Sequence, residues 1–189
     1  MDEETAGEIE RLVQNLDRRF KRGIDQKTAV FPSQKAIVIM GKDRCLEGEQ
    51  MIWGFPRFDG RGLMINARAE TALERRSFRE SILNRRCVIP AKGFWEWNQS
   101  KEKFAFERPD SETLFMAGCY DCFEGQERFV ILTTEANPSV KPVHERMPLV
   151  LERSELEDWV TDDSSPEYFL HKTPVLLKRE AEYEQMRLF

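Results

Sequence analysis

NARAET at residues 66–71 and RRCVIPAKGFWEW at residues 85–97 open and close the stretch that decides how this 189-residue chain is interpreted. The stretch places an amide, guanidinium groups and carboxylates beside two tryptophans. Because buried polar groups cost free energy unless they are paired, this composition makes a poor hydrophobic core. It predicts a reaction site built next to aromatic side chains.

Outward from this stretch, the chain predicts an α+β fold. Short apolar runs bounded by Gly, Pro, Asp or Lys predict strands, and most connections are too short for crossover helices, which favours antiparallel pairing. We expect a single domain over residues 1–189, with strongly bent, barrel-like sheets edged by helices. The predicted strands cover residues 36–40, 51–55, 62–65, 87–89, 93–97, 103–107, 114–120, 128–133, 149–151 and 175–177.

The helices are predicted by apolar spacing and by capping residues. Residues 4–20 carry apolar side chains at helical spacing between charges, which indicates an amphipathic helix. A proline at a first helical turn and a serine before an apolar run mark further starts. The remaining predictions are a helix over 71–84, a short turn over 137–140, a helix over 154–160 capped by Ser154, and a helix from Pro166 to about His171.

Bulk composition restricts the class of protein. Hydrophobic residues make up 40% of the chain and charged residues 33%, which argues against both disorder and a membrane protein. No apolar run approaches the roughly 18 to 20 residues that span a bilayer, and the acidic N-terminus has no signal-peptide pattern. We expect a cytoplasmic monomer without a membrane partner.

The cysteines raise the question of a metal. Cys119 and Cys122 have the spacing of half a zinc site, but the chain offers only His144 and His171 to complete it. In a strand the two thiols would point to opposite faces. We therefore expect reduced thiols, no metal and no cofactor.

Charge is unevenly distributed along the chain. Residues 51–100 hold nine basic and five acidic side chains, which gives this segment a charge of +4. Because the net charge of the whole chain is −5, the remaining residues carry −9. Such a patch is typical of a phosphate-binding face in an acidic protein. A solvated helix rich in Arg and Glu explains the same pattern.

Two titratable residues are candidates for proton transfer. Glu96 lies between two tryptophans in an apolar strand, where desolvation would raise its pKa towards neutrality. Alternation equally fits an exposed glutamate between inward-facing aromatics. His144 lies in a segment held by Pro142 and Pro148, which restricts its backbone, although a structural role for a loop histidine also stays open.

Polar and aromatic residues upstream could hold a substrate. Asn66 and Arg68 alternate at a strand end, so their side chains share a face about 7 Å apart. Asn66 could bind a substrate oxygen and Arg68 a phosphate, or Asn66 could mark a strand exit and Arg68 pair with Glu70. The WGFP segment from Trp53 to Pro56 suits stacking on an unpaired base, or it belongs to the core.

A series of short motifs follows in order along residues 30–160. They are Trp53-Gly54 with Pro56, residues 66–71, residues 85–97, Ala117-Gly118, residues 133–136 (TTEA) and residues 144–148 (HERMP). Together they resemble the SRAP family, named for SOS response-associated peptidases and known as abasic-site processing proteins. The resemblance implies a DNA-repair enzyme with the SRAP fold whose partner is single-stranded DNA with abasic sites.

The resemblance also implies a mechanism and roles for residues. In the family, an N-terminal cysteine traps the ring-opened sugar aldehyde, because its free amine forms a Schiff base that its thiol closes to a thiazolidine. Lyase and self-processing peptidase activities, and association with the nucleoid, are further implications. The implied roles are orientation of the terminus or sugar by Asn66, proton transfer by Glu96, ring opening or strand cleavage assisted by His144, phosphate contacts by Arg68, Arg76 and Arg146, and base stacking by Trp53.

The chain departs from the family at its start. It begins Met1-Asp2, has no cysteine before Cys45 and lacks the family's opening Cys-Gly-Arg strand. We expect a truncated or misassigned start, which would leave this chain defective in crosslinking. Cys45 could not substitute, since an internal cysteine has no free amine.

Two other functions stay open. One is a non-catalytic module that binds single-stranded or junction DNA through arginines and tryptophans alone. The other is an unrelated hydrolase that uses His144 with Cys87, Cys119 or Cys122. The apolar runs around Cys87 and Cys119 disfavour the hydrolase, because buried thiols are usually inert.

Overall fold

The computed structural model describes residue 11 and residues 29–42, 45–162 and 166–182. The helix predicted over residues 4–20 therefore lies, apart from residue 11, outside the described residues. The described strands are β1 (Lys35–Lys42), β2 (Cys45–Trp53), β3 (Phe55–Pro56), β4 (Leu63–Met64), β5 (Asn66–Arg68), β6 (Arg86–Ala91), β7 (Gly93–Trp97), β8 (Lys103–Glu107), β9 (Leu114–Phe123), β10 (Gln126–Glu135), β11 (Arg146–Pro148), β12 (Val150–Leu151) and β13 (Lys178–Glu182).

Short helices edge the sheets. None of those within the described ranges is long and apolar enough to cross a bilayer. The α-helices are α1 (Arg79–Asn84), α2 (Leu156–Thr161) and α3 (Pro166–Leu170), and 3₁₀ turns cover Ala69–Thr71 and Arg153–Glu155.

Five strands close into a ring in the order β10, β2, β1, β6, β9 and back to β10. All neighbours in the ring are antiparallel except β10 and β2, which are parallel. Closure removes the unpaired edges that an open sheet would leave. The predicted α+β fold, with a strongly bent, barrel-like and mainly antiparallel sheet, is confirmed.

Strand β10 has different partners along both of its edges. One edge pairs in parallel with β2 and then with β5, so that Ile131 lies opposite Asn66 and Thr133 opposite Arg68. The other edge pairs antiparallel with β9 and then with β11, where Glu135 lies opposite Arg146. Since neighbouring strands lie about 4.8 Å apart, β5 and β11 come within about 10 Å of each other.

The remaining strands form two smaller sheets. Strands β7, β8 and β13 form an antiparallel sheet, and β3 pairs with β4 as a hairpin. Alternate residues of the ring strands pack into two core clusters. One cluster joins the ring to helical residues such as Ile82, Trp159 and Phe169, and the other joins it to Phe106 of β8 and to Leu177.

Local geometry explains where the predicted elements differ from the structure. The strand predicted over 51–55 breaks at Gly54, whose φ of 109° suits only glycine. The strand predicted over 175–177 is wrong, and the strand begins instead at Lys178. The carbonyls of Pro174 and Val175 accept hydrogen bonds from a side chain rather than from a neighbouring strand.

Two helix predictions also need correction. Of the helix predicted over 71–84, only Arg79–Asn84 is α-helical, because turns bury Ala72 and Phe78 in the core before it. The helix predicted to start at Ser154 begins at Leu156 and is preceded by a 3₁₀ turn over Arg153–Glu155. Glu152, rather than Ser154, caps this turn. There the Glu155 carboxylate accepts the Glu152 backbone N–H at 2.7 Å.

Gly118 marks the closest approach of strands in the ring. A Cβ there would lie 2.6 Å from both Ile89 Cδ1 and the Val130 carbonyl oxygen. We expect Gly118→Ala to lower the free energy of unfolding by about 1–3 kcal/mol through overpacking. Thermal unfolding should show this as a lower Tm, with Glu127→Ala on the adjacent strand as an exposed control; an unchanged Tm would contradict the tight packing.

Candidate active site

A buried amide anchors the loop that carries His144. Asn137 donates from Nδ2 to the carbonyl oxygens of Pro174 (3.0 Å) and Val175 (2.9 Å). The His144 N–H then bonds to the carbonyl oxygen of Val140 at 3.1 Å. The loop between β10 and β11 is therefore fixed at both its start and its end.

The imidazole of His144 rests against the backbone of Arg146. Its Nδ1 lies 3.0 Å from the Arg146 carbonyl oxygen and 3.1 Å from the Arg146 nitrogen. One of these contacts is a hydrogen bond in either neutral tautomer. Because Nδ1 is taken up in this way and the side chain is exposed, Nε2 is the nitrogen left available to a ligand.

Arg146 and Glu70 form a two-bond ion pair. Arg146 donates from Nη1 to Glu70 Oε1 at 2.9 Å and from Nη2 to Oε2 at 2.8 Å. Nη2 also donates to the Thr133 carbonyl oxygen, and Thr134 Oγ1 donates to Glu70 Oε1 at 3.3 Å. Burial raises the pKa of Glu70, but the Arg146 and Thr134 hydrogen bonds outweigh it and hold that pKa below its usual value.

This pair bears on two predicted roles. Arg68 does not pair with Glu70, which Arg146 occupies instead. The terminal nitrogens of Arg146 are engaged, while its buried Nε has no hydrogen-bond partner among the described residues. The phosphate contact predicted for Arg146 stays a prediction.

Glu96 does not lie on the exposed face of β7, so the interpretation of an exposed glutamate between inward-facing tryptophans is wrong. Trp95 and Trp97 are the exposed residues of β7, whereas Glu96 shares its face with Phe94 and is largely buried. Burial raises the pKa of Glu96, against the opposing effects of nearby His144 and of a backbone hydrogen bond at Trp97. The carboxyl and the imidazole therefore lie within electrostatic reach of each other, although Glu96 is on β7 and His144 is in the loop between β10 and β11.

Asn66 and Arg68 lie on β5, on the side of β10 opposite β11. Both side chains are exposed, and Ala67 between them is buried, as alternation requires. Thr133 connects the two sides, because it lies opposite Arg68 while its carbonyl accepts from Arg146. The structure thus brings Asn66, Arg68 and His144 to one end of β10.

The basic residues divide into two groups. Arg86 is buried and donates to the carbonyls of Ile82 and Leu83, so it belongs to the scaffold. Arg85 pairs with Asp121 at 3.2 Å. Within residues 51–100, the arginines that are exposed and whose side chains have no partner among the described residues are Arg57, Arg61, Arg68, Arg75 and Arg76.

Trp53 is a half-buried residue rather than a free wedge. Its Nε1 donates to the Ile65 carbonyl oxygen at 2.9 Å, and its ring stacks on Phe129 with centroids 6.3 Å apart. Phe55, the other aromatic of that segment, is fully buried. Any stacking on DNA by Trp53 would use the part of the ring that stays accessible.

The buried thiols do not suit a nucleophile. Cys87 and Cys119 are fully buried, and burial raises the pKa of both. Cys122 is exposed, so Cys119 and Cys122 lie on opposite faces of β9. The hydrolase alternative loses two of its three candidate cysteines, because the thiolate is the reactive form.

Sequence reasoning missed the residues that hold the site together. Glu70 was visible in NARAET, but its proximity to Arg68 suggested the wrong partner. Asn137 and Thr133 carried no chemical signal of their own. Their contacts join residues that lie between 13 and 76 positions apart, which no local pattern records.

The assembled groups suit proton transfer next to an anionic ligand. Glu96, with its raised pKa, can hold or release a proton, and His144 Nε2 can do the same a short distance away. Arg68 adds an uncommitted positive charge, and Asn66 an amide that both donates and accepts. Such a set supports chemistry on a carbonyl or sugar flanked by phosphates.

Comparison with known proteins identifies the chain's relatives. The family model described as SOS response associated peptidase (SRAP) matches residues 3–187. The abasic site processing protein YoaM of Bacillus subtilis is 32% identical over 170 residues, which cover 82% of this chain and 75% of YoaM. YedK of Escherichia coli, also named an abasic site processing protein, is 29% identical over 72% of this chain and 65% of its own length.

Solved structures share the fold. A crystal structure of a Bordetella bronchiseptica protein has a TM-score of 0.73 at 22% identity and covers 90% of this chain and 95% of that one. A Bacteroides thetaiotaomicron protein has a TM-score of 0.68 at 27% identity and covers 79% and 74% of the two chains.

Glu96→Gln should stabilise the protein at neutral pH. Because the pKa of Glu96 is raised in the folded state, its stabilising contribution is present below the usual pKa of 4.5 and is lost as pH rises through the folded pKa. Gln has no charge to bury. Thermal unfolding should show a higher Tm for Glu96→Gln at pH 7 and a difference that shrinks towards pH 4.5, while exposed Glu112→Gln shows neither; a lower Tm at pH 7 would argue against burial of the charge.

Glu70→Gln should destabilise the protein. Removing the carboxylate leaves the half-buried Arg146 guanidinium without its charged partner, at a cost of about 1.5–3 kcal/mol. Since the pKa of Glu70 is lowered, this stabilisation is present above 4.5 and is lost as pH falls through the folded pKa. Urea unfolding at pH 7 and pH 4 checks it, with Glu74→Gln as an exposed control; equal loss in both variants would contradict a specific pair.

Proposed function

The chain belongs to the SOS response associated peptidase (SRAP) family, and we propose that it is a DNA-damage response protein that recognises abasic sites in single-stranded DNA. The names of its relatives, which are called abasic site processing proteins, support this substrate. The chain spans three quarters of YoaM, about two thirds of YedK and about half of YoqW from Bacillus subtilis. We further propose that it acts as a monomer in the cytoplasm, on nucleoid DNA.

One observation carries the proposal. Glu96, with a raised pKa, lies in electrostatic reach of His144, and both are close to the end of β10 where Arg68 is uncommitted. An abasic sugar is an aldehyde between two phosphates. A reaction at this sugar needs proton transfer at the aldehyde and positive charge at the phosphates. Glu96 and His144 would supply the first, and Arg68 the second.

The proposed reaction begins at the sugar. The amine of an N-terminal cysteine attacks the C1′ aldehyde, and water leaves as the Schiff base forms. The thiol then adds to the carbon of the C=N bond, and its proton passes to the nitrogen to give a thiazolidine. Glu96 would carry protons in both steps, His144 would assist ring opening, and Asn66 would orient the terminus or the sugar.

Related activities follow from the same intermediate. Removal of a proton next to the Schiff base would eliminate the 3′ phosphate, which is lyase chemistry. Self-processing of the terminus, suggested by the family's name, would need the same general acid and base. In the sequence as given no cysteine precedes Cys45, so the crosslinking step is proposed for a form that carries such a terminus.

A second candidate function is a non-catalytic module for single-stranded or junction DNA. The exposed, unpartnered arginines favour it, because they suit phosphate binding without any chemistry. Salt dependence does not separate the two functions, since both use phosphate contacts.

A crosslinking assay tests the proposal. The chain is extended to begin with Cys-Gly-Arg and a linker, and a matched extension begins with Ser-Gly-Arg. Each is incubated with single-stranded DNA that contains one abasic site, and with the same DNA intact, before a denaturing gel. We expect a covalent band only for the cysteine extension with abasic DNA, formed about 10²-fold more slowly or worse in Glu96→Gln.

The alternative outcomes are distinct. If both extended chains bind DNA without preference for the abasic site and no band forms, the binding module becomes the better proposal. A band that forms equally fast in Glu96→Gln would sink the assigned role of Glu96 but leave the substrate intact.

A further inference from the structure

A single aromatic side chain stands almost entirely in solvent. Phe58, at the tip of the β3–β4 hairpin, is 93% exposed, more than any other large hydrophobic residue among those described. Burying such a side chain would gain about 1.5–3 kcal/mol, which this fold forgoes. Lone exposed apolar residues are common, so the surroundings decide whether Phe58 has a role.

The hairpin tip is an ordered structure. Residues 55 and 56 pair with 64 and 63, and the Arg57 N–H bonds to the Gly62 carbonyl oxygen at 3.2 Å. Gly60 N–H bonds back to the Arg57 carbonyl at 3.0 Å, and Asp59 Oδ1 accepts the Arg61 N–H at 2.9 Å. Gly60 and Gly62 supply the positive φ angles of 68° and 87° that the turn requires. Phe58 is thus held out by a tight turn.

The positive charges of the hairpin tip favour an anionic ligand. Arg57 and Arg61 flank Phe58, are exposed, and have no side-chain partner within the described ranges. The one acidic group of the tip, Asp59, is engaged by the turn itself. The turn therefore carries one exposed aromatic ring and two exposed guanidinium groups within five residues, the side chains that bind a base and its phosphates in single-stranded DNA. A protein partner would call for a contiguous apolar patch, but residues 57–62 are exposed and mainly polar.

Position connects the tip to the site. Hydrogen bonds fix the base of the hairpin. Trp53 Nε1 donates to the Ile65 carbonyl oxygen across the base, and Arg128 of β10 donates to the Gly54 carbonyl oxygen at 3.1 Å. The Arg57 N–H bonds to the Gly62 carbonyl oxygen, so Phe58 lies close to Gly62. Gly62 and Asn66 are four residues apart and residues 63, 64 and 66 are strand residues, so about 13 Å of chain separate them. At 3.4 Å per stacked nucleotide, this distance corresponds to about four nucleotides.

From these observations we propose that the β3–β4 hairpin is a second contact for single-stranded DNA, in which Phe58 stacks on a base about four nucleotides from the abasic site and Arg57 and Arg61 bind the adjoining phosphates. The inference rests on the proposed function for the position of the lesion at Asn66. The contact adds affinity for any single strand and does not itself distinguish a lesion.

Binding without chemistry tests this contact. Fluorescence anisotropy is measured with a labelled 15-nucleotide strand that carries a central tetrahydrofuran, an unreactive abasic analogue, and with its intact counterpart. Since base stacking is worth about 1–3 kcal/mol, we expect Phe58→Ala to weaken binding about 5- to 140-fold for both strands. Phe58→Trp should bind like the parent, as should Tyr168→Ala, which removes another exposed aromatic on α3.

Strand length and salt give independent readouts. With only two nucleotides on each side of the analogue, the strand ends before Phe58, and Phe58→Ala should bind like the parent. Replacing Arg57 and Arg61 with Gln should reduce the slope of log K against log salt by about 1.4 on the long strand. An unchanged Tm confirms that these exposed substitutions preserve the fold.

Each result has a clear meaning. Phe58→Ala affinity within twofold of the parent on the long strand would overturn the contact. Loss of affinity that persists on the short strand would overturn its distance from Asn66. Equal parent affinity for the abasic and intact strands would count against the proposed function, while the effect of Phe58→Ala on the intact strand would still test the hairpin.

Discussion

Strand β10 is the element on which the site depends, because it uses the hydrogen-bonding groups of both its edges along most of its length. Its parallel pairing with β2 and β5 and its antiparallel pairing with β9 and β11 close the ring and at the same time bring Asn66 and Arg146 to one end. Buried backbone groups must be paired, and the same pairing of β10 that closes the ring also positions β5 and β11. A shift in β10 register would move both β5 and β11.

The carboxylates of Glu70 and Glu96 have pKa shifts in opposite directions. Glu70 receives two hydrogen bonds from Arg146 and a third from Thr134, which holds its pKa below the usual value and fixes Arg146, whose backbone contacts the His144 imidazole. Glu96 is half-buried and no arginine or lysine side chain bonds to it within the described residues, so burial raises its pKa against the opposing effect of His144. The two carboxylates thus differ in pKa because their surroundings differ.

Much of the architecture was readable from local pattern. The strands at 93–97 and 103–107 match their predicted bounds, and short connections correctly indicated antiparallel pairing. The errors arose where tertiary contacts replaced local ones, as at residues 175–177, whose backbone bonds to Asn137 instead of a strand. For Glu96, alternation located the residue but allowed either orientation, because tryptophan is found both on solvated faces and in cores.

The sequence by itself determined the fold class, the candidate groups Asn66, Glu96 and His144, and the family resemblance, since strand periodicity and short motifs are local properties of the chain. Only the tertiary structure decided which charges are committed. Arg85 is held by Asp121, Arg86 by the carbonyls of Trp159 and Asp162, and Arg146 by Glu70, all of them distant in sequence. The side chains of Arg57, Arg61 and Arg68 are exposed and have no such partner among the described residues. The reason is physical: whether a charge is available depends on what lies within about 4 Å of it, and folding sets that distance across gaps that no sequence motif spans.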